Sequence, residues 1–176
     1  MQDALVFLVD TFFSLLFFVF LLRLVLQWAR ADFRNPLAQA IVRLTNWLIL
    51  PLRRGLPPIG RVDTASVAAV LAVALAQVAA LYLARGLGFP DTLQWLQLGA
   101  RELIRGILWL YFWAIFVYSL LSMIAPGTYS PIQGVLQSIC EPVLRPIRRT
   151  VPPLAGLDLS PLWAVILIQL LLILVR

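Results

Sequence analysis

Residues 51–63 read Pro51-Leu52-Arg53-Arg54-Gly55-Leu56-Pro57-Pro58-Ile59-Gly60-Arg61-Val62-Asp63. They return 95 residues later as Pro146-Ile147-Arg148-Arg149-Thr150-Val151-Pro152-Pro153-Leu154-Ala155-Gly156-Leu157-Asp158. Upstream, Asn35-Pro36 matches Ser130-Pro131 at the same offset. Of the 28 gapless positions from 36 to 63, seven are identical: Pro36, Pro51, Arg53, Arg54, Pro57, Pro58 and Asp63. These identities are prolines, arginines and an aspartate rather than abundant leucine, so the chain is read as a duplicated unit.

Around each copy lie long apolar runs. The chain has 176 residues, 62% hydrophobic and 12% charged, against about 25% charged in soluble domains. So little polar surface points to lipid as the solvent. A span needs about 20 mostly apolar residues. Four stretches qualify: about 4–29, 67–84, 103–125 and 162–175, the last being short. The second is rich in alanine and is expected to pack closely against other helices. The first is rich in phenylalanine and leucine and is expected to face lipid on one side. Trp109, Tyr111, Trp113 and Tyr118 are read as bulky packing residues.

The fold expected is all-α and integral to a membrane. Four transmembrane helices form two parallel helical-hairpin repeats, each with a short amphipathic interfacial helix and a Pro/Arg-rich loop. Residues 1–85 make the first repeat, 86–101 an outer connecting segment and 102–176 the second repeat. Whether 86–101 carries its own helix, capped by Asp91 and anchored by Trp95, stays open. Met1-Gln2-Asp3 lacks a basic leader, so the first run is read as a retained span.

Two spans per copy is an even number, so both Pro/Arg loops should share one side of the membrane. The arginines agree. Arg30, Arg34, Arg43, Arg53, Arg54, Arg61, Arg145, Arg148 and Arg149 fall on that side. Arg85, Arg101 and Arg176 fall on the other, with Arg105 at its border. The positive-inside bias then places the loops in the cytoplasm and both termini outside.

Pro36 and Pro131 follow Asn35 and Ser130, a good helix start. The residues after them carry one narrow polar stripe, as short amphipathic helices lying in the interface do; a shallow re-entrant segment is the other reading. Prolines 51, 57, 58, 142, 146, 152 and 153 are expected to end regular structure. The stiff loops would hold Arg53-Arg54 and Arg148-Arg149 near the headgroups, to bind lipid phosphate, a protein partner, or a substrate or ion. Pro36, Pro51, Pro57, Asp63, Pro131, Pro146, Pro152 and Asp158 are the motif that shapes them. Ser160-Pro161 is expected to open the last span as Asn35-Pro36 opens its helix.

Asp10, Arg23 and Arg105 lie within or at the ends of the spans, where charge is costly. Arg23 can snorkel toward the interface. Asp10 and Arg105 are equivalent, 95 residues apart. They could form an intramembrane charge pair, be solvated separately at the outer interface, or serve transport. Gln77 and Gln169 could hydrogen-bond between helices.

Catalytic parts are missing. There is no histidine and one cysteine, Cys140, which removes an intrachain disulfide, most metal sites and His-dependent catalysis. No paired carboxylates or phosphate-binding glycine loop is present. No enzyme activity, metal or cofactor is expected.

With these features the chain resembles the YggT (YlmG) family of bacterial and plastid membrane proteins in two-repeat form. The better block is Glu141-Pro142-x-Leu144-x-Pro146-x-Arg148-Arg149-x-x-Pro152, then Gly156-x-Asp158-x-Ser160-Pro161. The first block reads Trp28, Asn35-Pro36, Leu44-Thr45, Pro51-x-Arg53-Arg54-x-x-Pro57, then Asp63. It departs at Trp47, where proline is usual, and after Asp63, where Ser-Pro is absent. The second copy has Met123 in place of the upstream tryptophan. The resemblance implies an inner-membrane location. It also implies links to osmotic or potassium tolerance, cell division and shape, or thylakoid and nucleoid organisation, with no catalytic residues to transfer. The function expected is a non-enzymatic scaffold or accessory factor; the rival is a small transporter or channel component in osmotic or potassium homeostasis. Expected partners are the bilayer with its anionic headgroups, a membrane or cytoplasmic protein, and a second copy of the chain, but not nucleic acid.

Overall fold

The computed structural model describes residues 1–59, 63–124, 130–151 and 158–175. These form six helices: α1 (Gln2–Trp28), α2 (Pro36–Gly55), α3 (Thr64–Ala84), α4 (Thr92–Ile124), α5 (Pro131–Thr150) and α6 (Ser160–Leu174). Three of them, α1, α3 and α4, are long and apolar enough to cross a membrane. With 15 residues, α6 extends about 22 Å, short of a hydrocarbon core of about 30 Å. Phe7, Leu8, Phe12 and Leu15 of α1 and Ile173 and Leu174 of α6 stand exposed. Apolar exposure on this scale needs a lipid surround.

The chain packs as two compact units, Met1–Leu24 with Ile41–Gly106, and Val25–Ala40 with Ile107–Arg176. Each unit draws on both sequence repeats. In the first, α3 buries Ala65, Ala69, Val70, Val73, Ala74, Gln77 and Val78 on one stripe, as its small residues suggested. A Cβ on Gly106 would lie 2.2 Å from the Phe17 ring, and one on Gly99 2.4 Å from Leu75. These two glycines let α4 approach α1 and α3 more closely than any side chain would allow. Trp95 Nε1 donates to the Leu75 carbonyl at 2.8 Å.

In the outer segment, Asp91 accepts from the Leu93 amide at 3.2 Å. The helix it starts runs without a break into the third span, 33 residues in all, so there is no separate outer helix. Along α4, Trp109, Phe112, Trp113 and Phe116 stack on one another. Trp109 and Trp113 point outward, whereas Tyr111 is buried.

The prolines behave differently from the expectation. Pro51 lies inside α2, and Pro142 and Pro146 lie inside α5. All three are on exposed faces. There the carbonyl that each proline leaves unpaired can turn to water or headgroups, which softens a cost of about 3 kcal/mol. The opposite face supplies the compensation: α2 buries Ala38, Thr45 and Ile49, and α5 buries Val135, Ile139, Cys140 and Leu144. Both helices therefore reach their arginine pairs. Pro57 and Pro58 follow α2 in an exposed, non-helical segment; Pro152, Pro153, Arg61 and Gly156 lie outside the described residues.

Candidate functional site

Each arginine pair forms the last turn of an amphipathic helix, Arg53 and Arg54 on α2, Arg148 and Arg149 on α5. Each aspartate of the motif stands just before the next helix, Asp63 before α3 and Asp158 before α6. Cations suit a helix C-terminus and anions an N-terminus. The sequence thus puts opposite charges at the two ends of each loop, and the structure joins them.

In the first unit, Arg53 Nη2 donates to Asp63 Oδ2. The Ser66 hydroxyl donates to the same oxygen at 2.8 Å. Thr64 Oγ1 donates to the Pro57 carbonyl at 2.8 Å and closes the loop from the other side. In the second unit, Arg148 Nε donates to Asp158 Oδ2 at 2.8 Å. Asp158 Oδ1 accepts from the Ser160 amide at 2.9 Å. Leu159 is the N-cap of α6 and Ser160 is already helical, so Ser160 does not cap the helix; Asp158 braces its start through the Ser160 amide.

These bonds set the charge states. Burial pulls the Asp158 carboxyl up, but hydrogen bonds from Ser160 and Arg148 outweigh it and hold it below the usual carboxylate range. Burial alone would lower Arg148, yet Asp158, Tyr118 and Glu141 together raise it above its ordinary value. Cys140 is buried, and its thiol is pushed up to about 12, chiefly by that burial and then by Glu141. A thiol so protonated is a packing group, not a nucleophile.

Of the four arginines expected to meet a partner, Arg53 and Arg148 are thus committed within the chain. Arg54 and Arg149 are exposed, and among the described residues they carry no ion pair. The twofold Arg–Asp spacing of ten residues was visible in sequence as two identities of opposite sign.

Sequence reasoning undervalued Arg23. It does not snorkel to solvent; it is 2% exposed and reaches α2. Its Nη1 donates to the Val42 carbonyl at 3.1 Å, Thr45 Oγ1 at 2.7 Å and Asn46 Oδ1 at 2.8 Å. The signal available was the polar stripe of α2, which includes Asn46. In the second unit, Asn35 caps α2 through the Leu37 amide and donates its Nδ2 to the Pro131 carbonyl at 2.7 Å. The starts of α2 and α5 are thereby tied together. Pro36 and Pro131 each open a helix as expected, and Ser130 caps α5 through the Gln133 amide.

Asp10 and Arg105 are not brought together. Asp10 Oδ1 accepts from Gln77 Nε2 at 3.1 Å, and Gln77 also reaches Ser14 Oγ at 3.0 Å. Strict repeat register would set Gly106 level with Thr11, yet Gly106 packs on Phe17 and Leu21. The contact is offset from the repeat register, and among the described residues Asp10 and Arg105 form no ion pair. Gln169 is exposed. Among the described residues no three His, Cys, Asp or Glu side chains converge as a metal site would require.

Two clefts open beside α5 in the second unit. One, of about 430 Å³, includes Arg34, Asn35, Pro36, Pro131 and Gly134 in its lining. The other, of about 500 Å³, includes Trp28, Arg30, Glu141 and Arg145. Gln137 and Ser138 border both.

A family model, CCB3/YggT, matches residues 2–84 and again 98–176, so both repeats fit one description. The chain belongs to the CCB3/YggT family. Its similarity to YggT of Escherichia coli K12 is 38% identity over 167 residues, covering 95% of this chain and 86% of that one. An uncharacterised Pseudomonas aeruginosa protein is 36% identical over 97% of this chain and 87% of its own. A Vibrio alginolyticus relative is 40% identical over 92% and 87%. Coverage this complete extends the family assignment to the loops and the spans alike. No solved structure matches the chain.

Proposed function

We propose that this CCB3/YggT protein is a non-enzymatic scaffold or accessory factor of the bacterial inner membrane, with α1, α3, α4 and α6 as its four spans. The hairpins run parallel, the termini lie outside, and the ends of α2 and α5 face the cytoplasm. Nine arginines on the loop side of the sequence support that orientation. Local thinning of the bilayer accommodates the short α6.

One observation carries the functional reading. At two matched positions an Arg–Asp bond fixes the helix end and leaves the adjacent arginine, Arg54 or Arg149, exposed. A rigidly mounted cation with no ion pair among the described residues suits a docking surface for anionic headgroups or an acidic partner protein. Photo-crosslinkers placed at 54 and 149 in cells should capture a discrete adduct at both positions and not at exposed Leu87. Equal, unspecific capture at all three would sink the docking role.

A second reading, a transporter or channel component, draws on the Asp10–Gln77–Ser14 cluster within the apolar helices. Selective potassium or solute flux through liposomes containing only this chain would favour it and displace the scaffold.

A further inference from the structure

Two helices of this chain end in the same hydrogen-bond pattern. At the end of α3, Leu87 N donates to Tyr82 O and Gly86 N to Leu83 O, both at 3.0 Å. At the end of α1, Ala31 N donates to Leu26 O at 2.9 Å and Arg30 N to Gln27 O at 3.2 Å. The pattern needs a left-handed residue, for which glycine is the usual choice. Gly86 provides it in α3, at φ 72°. In α1 the residue is Arg30, at φ 52°, the one non-glycine with positive φ among the described residues. A side chain there costs about 1 kcal/mol. Such strain concentrates at binding and switch sites.

Arg30 stands at the rim of the 500 Å³ cleft. Across it lies Arg145, whose Nε is 3.6 Å from Glu141 Oε1. The other oxygen of Glu141 is held by Arg148 at 3.1 Å. The acid is thus shared between two arginines, and the guanidinium of Arg30 has no protein partner among the described residues. Arg34 extends the positive rim into the neighbouring cleft, where Asp32 accepts from the Arg34 amide. Trp28, 61% exposed, ends the apolar α1 beside these charges, the usual place of a headgroup-level tryptophan.

The positions equivalent to these under the repeat lack the grip. By sequence register, Met123 replaces Trp28, Leu50 replaces Arg145 and Asn46 replaces Glu141. A general topology anchor would be duplicated with the rest; a site need not be.

We propose that the cleft formed by Trp28, Arg30, Gln137, Ser138, Glu141 and Arg145 binds the phosphodiester headgroup of an anionic glycerophospholipid. Guanidinium forks pair with phosphate oxygens bidentately, and the indole ring marks the acyl boundary. This rests on the proposed orientation only in so far as the cleft must meet the anionic leaflet.

The test uses the full chain in detergent, with native mass spectrometry and thermal melts, titrated with phosphatidylglycerol or phosphatidylcholine. The wild type should retain phosphatidylglycerol preferentially. Arg30→Gly should melt at the same or a higher temperature without lipid, yet lose about ten-fold in that preference. Arg145→Gln should lose a similar factor, whereas Arg54→Gln with Arg149→Gln should keep the preference. An Arg30→Gly chain that keeps its preference, or melts lower, overturns the proposal. So does equal competition by inorganic phosphate, which would mark the ligand as a soluble anion. Crosslinking at 54 and 149 reads a different surface, so the docking role can fail while this site stands, or the reverse.

Discussion

The two amphipathic helices are held by opposite arrangements of charge. α2 is gripped from outside by a buried cation of α1, Arg23, which reaches Thr45 and Asn46. At the matching positions the second repeat has Tyr118, Cys140 and Glu141. The cation is gone, and an acid has appeared on the helix itself, bonded along α5 to Arg145 and Arg148. The Arg–Asp bond at the helix end persists in both. Duplication kept the closure of the loop and let the middle of the helix be rewired. The closure is therefore the part that both copies retain, with an exposed arginine, Arg54 or Arg149, beside it.

Breaking the first arrangement should cost most. Arg23→Met leaves Asn46 Oδ1 facing an apolar side chain and should cost about 3 kcal/mol, read as a lowered thermal midpoint in detergent. Tyr118→Phe, at the matched position, gives up only its hydrogen bond to Arg148 and should cost about 1 kcal/mol. Equal losses would remove the asymmetry. Next come the closures. The Asp63 side chain is 10% exposed and that of Asp158 is 44% exposed. Asp63→Asn should therefore cost about 2 kcal/mol and Asp158→Asn no more than about 1 kcal/mol, because solvent screens the second pair. The reverse order would contradict the geometry.

The Asp158 carboxyl also predicts a pH dependence. Its folded pKa lies below its unfolded value, so the unfolded chain binds the proton first as pH falls. The stabilising contribution is present at neutral pH and fades below an unfolded aspartate pKa of about 3.9. Acid melts of Asp158→Asn should be flatter in that window than those of the wild type. The smallest effect expected is from Cys140→Thr, which imports the residue of the first repeat. Threonine can donate to the carbonyl one turn back, as Thr45 does to Ile41 at 2.7 Å, so the change should stay within about 1 kcal/mol. A larger loss would mean the pocket around Cys140 is closed to a hydroxyl.

Much of this was legible in sequence because the chain writes its motif twice. The apolar runs mark α1, α3 and α4, and the caps at Asn35 and Ser130 mark the starts of α2 and α5. The helix lengths were not legible. Proline chemistry argued for a stop at Pro51, Pro142 and Pro146, while burial of Ile49, Ile139 and Leu144 on the opposite faces carries the helices through. Repeat arithmetic paired Asp10 with Arg105, but Gly99 and Gly106 set the helix register instead, and a missing side chain leaves no periodic signal. Arg30 looked like one more positive-inside arginine, since its left-handed backbone is visible only in the structure.

The central proposal is that two matched, internally closed helix ends present Arg54 and Arg149 to the cytoplasm. Single cysteines at 54, 149 and 87, each in a Cys140→Ala background, can be probed with a membrane-impermeant maleimide in intact and permeabilised spheroplasts. The account predicts that 54 and 149 label only after permeabilisation, and 87 labels in both. Labelling of 54 and 149 from opposite sides would contradict it.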